Sequence, residues 1–314
     1  MAVGPREEAP HLAAIEQLAR GEEPALGTGG VGHIPGRGRT ERILRVLTYT
    51  ALVLASLLYF VPFIWTISTS LKTLPETVGF DLWPDNPSLR AYREALSTFN
   101  FARYAGNTAI LAVAVTLFNV FLASLGGYAF ARLRFPGREL LFMLVLATLM
   151  IPDQLRLVPV YQMLIDFPVT GWNLVSTYQG FVLINLVTAT NLFLMRQYFL
   201  TIPRDYEEAA KLDGAGYFKT YWKVMLPLAG PALAAVTILQ FQGTWNEFFW
   251  ALILLQDEAK YTLSIGIAQF RFQYQTLWPE LMAASVIAIA PVVVIYIAFQ
   301  RYFIAGVTAA GVKG

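Results

Sequence analysis

Five residues in an otherwise apolar stretch carry the side chains best suited to gripping a polar solute: Gln240, Gln242, Trp245, Asn246 and Glu247. An indole offers a flat face for stacking, amides offer paired donors and acceptors, and a carboxylate accepts several hydrogen bonds. At about 100° per residue, Trp245 and Gln242 share one helix face, as do Asn246 and Gln242 four positions apart. Such a set binds rather than cleaves. A second reading stands beside the first: the same groups form interhelical hydrogen bonds with Asn119 or Asn185 and hold a bundle together. Glu247 is the costly member, because an ionisable group within an apolar run needs a cavity, a pore or a polar partner.

Groups that make or break bonds do not gather elsewhere. The chain has no cysteine, which removes disulfides, thiolate metal sites and cysteine nucleophiles together. Its two histidines, His11 and His33, fall in a polar N-terminal stretch where a solvated side chain is the expectation. No Ser-His-Asp arrangement, paired carboxylates or metal-ligand spacing occurs, and no G-x-x-x-x-G-K-[ST] phosphate loop is present. No catalytic residue, no metal site and no cofactor held by this chain are therefore assigned.

The elements that position the polar set belong to a membrane. Of 314 residues, 56% are hydrophobic and only 14% charged, with a mean hydropathy of +0.51. A soluble domain carries about 25% charged residues, so lipid is the expected solvent. The net charge of +2 gives no footprint for nucleic acid. Roughly 20 apolar residues cross a bilayer, and six runs approach that length: about 43–71, 107–131, 140–160, 178–199, 228–255 and 281–303. The reading is an all-α polytopic protein. In the second run, Ser124, Gly126 and Gly127 let a neighbouring helix approach closely. The third run meets Pro152-Asp153 after a dozen residues and is expected to break near its outer end, lining protein rather than lipid.

Residues 1–40, rich in glycine, proline and charge, read as a disordered cytoplasmic tail before a membrane domain over 41–314. With the N-terminus inside, sixteen basic residues fall in the inner segments and seven in the outer ones. That bias places both termini in the cytoplasm. An outer stretch, Thr73 to Gly106, holds the turn-rich Trp83-Pro84-Asp85-Asn86-Pro87, and Ser88 is placed to cap a short helix through Leu96.

The inner loop Thr201–Pro227 is the most patterned part of the chain. Pro203 suits a first helical turn, and Asp205, Glu207 and Glu208 favour the positive end of the helix dipole. Gly214 suits a left-handed terminating position. A second amphipathic segment runs from Tyr217 to Met225, with Phe218, Tyr221, Trp222 and Met225 on one side. The expectation is a helix–turn–helix across the inner membrane surface.

Glu208-Ala209-Ala210, then Gly214, Val224 and Leu226-Pro227 reproduce in type and spacing the E-A-A signature loop of ABC importer permeases, with Val224 where isoleucine is usual. The longer form Glu208-Ala209-Ala210-Lys211-Leu212-Asp213-Gly214-Ala215 resembles the carbohydrate branch, the maltose-type (MalG-like) permeases. Thr244-Trp245-Asn246-Glu247-Phe248 and the terminal Gly306-Val307-Thr308-Ala309-Ala310-Gly311-Val312-Lys313-Gly314 add to the resemblance, which covers about residue 45 to the end; the family often ends with Gly-Ala where this chain has Ala310-Gly311.

The resemblance implies the type I importer permease architecture in the inner membrane, with six transmembrane helices. It further implies a second permease subunit as heterodimer partner, two ATPase subunits that bind ATP and magnesium, and an extracytoplasmic solute-binding protein delivering a small sugar. Glu208, Ala209, Ala210, Asp213, Gly214, Phe218 and Pro227 are then the residues expected to couple to the ATPase, with Phe218 or Trp222 anchoring in a pocket. Gln242, Trp245, Asn246 and Glu247 are candidates for the sugar path. Against this stand an amphipathic helix merely resting on lipid headgroups, and, for the whole chain, a self-sufficient secondary transporter. The latter needs coupling-ion sites, and the spans carry few acidic groups. An intramembrane enzyme would need the acidic or histidine clusters that are missing.

Overall fold

A computed structural model describes residues 37–311 apart from 80, 99 and 272–275. Residues 1–36 of the tail expected to be disordered lie outside these, and Arg37–Thr40 belong to the first helix instead. The chain divides into two compact units, residues 1–60 and 61–314.

In the first unit, helix α1 (Arg37–Thr69, which continues into the second) exposes every side chain from Arg42 to Phe60. A helix that is apolar all round and uncovered belongs in lipid or against another apolar surface. Its hydroxyls are self-satisfied: Thr48 donates to the Leu44 carbonyl at 2.9 Å and Ser56 to Leu52 at 2.8 Å. That back-bonding removes the cost of a bare hydroxyl in hydrocarbon.

The regular secondary structure of the second unit is all helix among its described residues, apart from an isolated bridge between Arg271 and Thr276. Its helices are α2 (Arg90–Thr98), α3 (Phe101–Arg132), α4 (Arg138–Ala147), α5 (Asp153–Ile165), α6 (Tyr178–Ile184), α7 (Ala189–Thr201) and α8 (Asp205–Leu212). They continue with α9 (Tyr217–Leu228), α10 (Gly230–Trp245), α11 (Phe249–Leu254), α12 (Leu263–Ala268) and α13 (Trp278–Gly311).

Arg42–Thr69, Phe101–Arg132 and Trp278–Gln300 are each long and apolar enough to cross a membrane. Three further candidates are bent pairs: Arg138–Met150 with α5 at 108°, α6 with α7 at 49°, and α9 with α10 at 79°. The protein is thus an all-helical polytopic membrane protein with three to six candidate spans. The third expected run divides at Ile151-Pro152, where proline follows an extended residue. The fifth, expected as one run over 228–255, begins at Gly230 and stops at Trp245, with α11 a separate short helix. Thr177 caps α6 by accepting from the Gly180 N–H at 3.0 Å.

Helix α3 is the centre of the bundle, packed against α7 and α10, and α10 packs in turn on α13. The approach of α3 to α7 is set by Gly127, where an added Cβ would lie 2.7 Å from Met195 Cβ. No side chain fits there, so the small residues of the second run perform the role their types suggest. The two ends of α3 carry different links. At one end, Arg132 donates to the carbonyls of Phe199 and Ile202, and Arg196 bonds Glu139 at 3.2 Å. At the other, Asn107 donates to Ala259 and Tyr261 carbonyls at 2.9 Å and accepts from the Tyr178 hydroxyl at 2.7 Å. The segments that follow α3 and α7 thus meet at one end of α3, and the segments around Tyr178 and Ala259–Tyr261 meet at the other.

Candidate functional site

Two places on the second unit answer to the sequence signals: a surface elbow and a polar cleft. The elbow is α8, a tight turn and α9. Helix α8 ends in a full left-handed cap. The Ala215 N–H bonds the Ala210 carbonyl at 2.9 Å, the Gly214 N–H bonds Lys211 at 3.0 Å, and Gly214 holds φ at +73°. That pattern satisfies carbonyls at the helix end and demands a residue without a Cβ penalty. Within α9 a π turn spans Tyr221–Met225, ending two residues before Pro227. Proline lacks an N–H, so a widened turn there relieves the clash and the missing bond.

The elbow turns one face inward and one outward. Tyr221 is buried, sharing a 2.7 Å hydrogen bond with Ser124 of α3 and packing on Tyr128 at 5.3 Å. Ala210 is buried too, whereas Glu208, Ala209, Asp213, Gly214 and Pro227 are exposed. Outward stand Leu212, Tyr217, Phe218 and Trp222, with Leu212 89% exposed and Phe218 stacked on Trp222 at 6.3 Å. Trp222 also packs edge-on against Phe121 of α3 at 6.4 Å, and exposed aromatic side chains among charged ones suit a protein-binding surface.

One link under the elbow carries no signature in the sequence pattern. Glu207, buried between its exposed neighbours Tyr206 and Glu208, faces Arg132 with nitrogen and oxygen 3.6 Å apart. At that separation the contact is a charge pair rather than a hydrogen bond, and another nitrogen of the same guanidinium bonds the Phe199 and Ile202 carbonyls. One guanidinium thus fastens the end of α3 to the end of α7 and to α8. Glu207 looks from sequence like one more first-turn acid; only its burial separates it from Asp205 and Glu208.

The cleft forms where broken helices meet. Two adjoining cavities of about 350 and 400 Å³ share Asp153, Asn185, Thr188, Thr190 and Glu247 on their walls. These residues lie at the start of α5, at the α6–α7 break and just past the end of α10. Irregular backbone at membrane depth persists where it lines a cavity, and interrupted spans present helix ends and free carbonyls to solutes. Behind the cleft runs a chain of amides. Asn191 donates to Asn119 Oδ1 and to Gln240 Oε1, each at 2.7 Å, and Gln240 donates to Thr244 at 3.0 Å. Asn119 donates to the Asn185 carbonyl at 3.0 Å. This network ties α3, α7 and α10 together, so Gln240 takes the interhelical part of the two readings, linked to Asn119 through Asn191.

The four path candidates separate. Glu247 lines the cleft, and its Oε1 accepts from the Trp250 N–H at 2.9 Å, anchoring the start of α11. Trp245 is buried against α13, stacked on Phe241 at 5.6 Å, with its indole N–H on the Ala288 carbonyl at 3.0 Å. Gln242 borders another cavity, of about 330 Å³, with Ile238, Phe241 and Tyr296. Asn246 is exposed and bonds the Gln242 carbonyl of its own helix at 3.0 Å. The cleft instead recruits Asp153, Arg156, Thr188 and Thr190, which the sequence offers only as the Pro152-Asp153 break and scattered hydroxyls.

Residues 122–309, more than half of the chain, match the family described as "binding-protein-dependent transport system inner membrane component". The chain is 34% identical to the arabinooligosaccharides transport system permease protein AraQ of Bacillus subtilis over 278 residues, 87% of this chain and 97% of that protein. It is 36% identical to the trehalose/maltose transport system permease protein MalG of Thermococcus litoralis over 281 residues, 88% and 99% respectively. The crystal structure of a bacterial ABC transporter that imports the acidic polysaccharide alginate contains a chain 27% identical, with a TM-score of 0.72, covering 84% of this chain and 98% of that one.

The chain belongs to the inner-membrane permeases of binding-protein-dependent ABC transporters. It is a multi-pass membrane subunit of a binding-protein-dependent carbohydrate uptake system, not an enzyme.

Proposed function

We propose that this chain is one permease half of an importer for a small neutral sugar, mono- or disaccharide. A related permease completes the passage as a heterodimer, two ATPase subunits carrying ATP and magnesium dock on the elbow, and an extracytoplasmic binding protein delivers the solute. Each bent helix pair counts as one crossing, giving six spans with both termini in the cytoplasm. The sixteen-to-seven distribution of basic residues supports that sidedness, as does the gathering of the basic inner loops at one end of α3. The names of the Bacillus and Thermococcus relatives support a neutral carbohydrate. Hydroxyl and amide groups on the cleft walls suit sugar hydroxyls, with Asp153, Asn185, Thr190 and Glu247 as the contacts.

The observation that carries this reading is the elbow: an exposed aromatic patch on the E-A-A segment of a chain with no phosphate loop of its own. Binding of a motor subunit there converts its closure into tilting of α3, α7 and α10, and so into alternating access. Phe218→Ala should weaken ATPase binding about 30-fold, the equivalent of the roughly 2 kcal/mol lost with an interface anchor, while membrane insertion stays normal. Gly214→Asp should abolish ATP-driven uptake through a misaligned elbow. ATPase co-purification at wild-type affinity in both variants would overturn the docking assignment.

A further inference from the structure

On the end of the bundle that carries the elbow, a second feature remains without a role. Arg134, Arg138 and Arg204 line a cavity of about 580 Å³ together with Phe135, Glu139 and Leu140. Charge on its wall is unbalanced. Glu139 is the one carboxylate there among the described residues, and it is already shared by Arg138 at 2.7 Å and Arg196 at 3.2 Å. Arg196 is further held over the Phe142 ring at 4.0 Å. The guanidinium groups of Arg134 and Arg204 have no hydrogen-bond or ion-pair partner among the described residues, and both residues are exposed.

Beside this basic cavity the chemistry changes abruptly. Helix α4 starts at Arg138 and continues with Leu140, Leu141, Met143 and Leu144, all about half exposed. An anion-seeking cavity opening onto an uncovered apolar flank has the same division as a phospholipid, charged at one end and hydrocarbon at the other.

We propose that Arg134, Arg138 and Arg204 hold the phosphate headgroup of an anionic phospholipid whose acyl chains lie along α4. The planar guanidinium fork matches phosphate oxygens two at a time. Basic pockets between spans on the cytoplasmic side are suited to acidic headgroups. A soluble phosphate ester would satisfy the arginines but leave the leucine flank bare. The assignment rests on charge, on exposure and on the proposed cytoplasmic side of this end, and it stands whether or not the transported solute is a sugar.

The test uses the assembled transporter, stripped in detergent and offered phosphatidylglycerol and phosphatidylcholine in equal amounts. Native mass spectrometry should show preferential retention of phosphatidylglycerol. Arg134→Gln/Arg204→Gln should lower that preference about fivefold per guanidinium removed, and Arg134→Lys/Arg204→Lys should keep most of it. If the glutamine variant is not recovered folded, the wild-type complex decides: its unfolding midpoint should rise more with short-chain phosphatidylglycerol than with the matching phosphatidylcholine. Equal retention or equal midpoints overturn the proposal. So does inorganic phosphate that displaces the lipid and stabilises the complex as well, which would make this a soluble-anion site. Loss of the ATPase from the glutamine variant with lipid preference unchanged would reassign the cavity to a protein contact.

Discussion

Trp245 and Glu247 stand two positions apart and do different work. The indole is wedged between α10 and α13, so Trp245→Ala leaves a hole and removes the indole's bond to the Ala288 carbonyl. A loss of about 3–5 kcal/mol is expected from such a truncation, read as less folded protein in the membrane and a lower melting temperature. Glu247→Gln keeps an acceptor for the Trp250 N–H but removes the charge from the cleft. Folded yield should hold while sugar uptake falls severalfold at saturating solute. A melting temperature unchanged in Trp245→Ala, or uptake unchanged in Glu247→Gln, would reverse these assignments. At this scale the sequence was half legible. It located the polar cluster, because amides and a carboxylate in an apolar run are conspicuous, but not which way each side chain turns. The break after Trp245 rotates Glu247 out of the register that a continuous helix would impose.

Among the elements, the link between α8 and α3 deserves the sharpest test, because Arg132 and Glu207 are both nearly buried. Removing one partner of a buried pair strands the other charge, at a cost of about 3–5 kcal/mol, whereas removing both is far milder. Arg132→Met and Glu207→Met should each lower the amount of sugar imported per ATP hydrolysed. The double variant should do no worse than the poorer single one, a non-additive cycle that purely independent contacts would not give. Additive losses would mean that the two side chains do not act together. The elbow itself was legible in outline: acids, then Gly214, then an aromatic segment announced helix, turn and helix, and the cap formed as its residue types require. The Arg132 contact was not, because nothing in the local pattern relates positions seventy-five apart.

For the whole molecule, sidedness is the property most open to direct measurement. The chain has no cysteine, so a single introduced thiol is an unambiguous reporter. Lys219→Cys on the elbow should react with an impermeant maleimide only in inverted vesicles, and Asp85→Cys in the outer loop only in intact cells. The opposite pattern would turn the bundle over and remove the cytoplasmic docking reading. The membrane character and the number of apolar runs were plain from composition and length. The bends at Pro152 and between the elbow and the span that follows it were foreshadowed, but the one at Asn185–Thr188 was not, because hydropathy alone passes over it.

Helix α3 has one consequence of its own. It runs 32 residues without an internal proline, about 48 Å at 1.5 Å per residue, while its neighbours are interrupted. An uninterrupted rod anchored by Arg132 at one end and Asn107 at the other has no joint in which to lose motion. On the proposed sidedness, a push delivered at the Arg132 end is expected to reach the Ala259–Tyr261 segment at the other, so that one shaft links the two faces of the membrane.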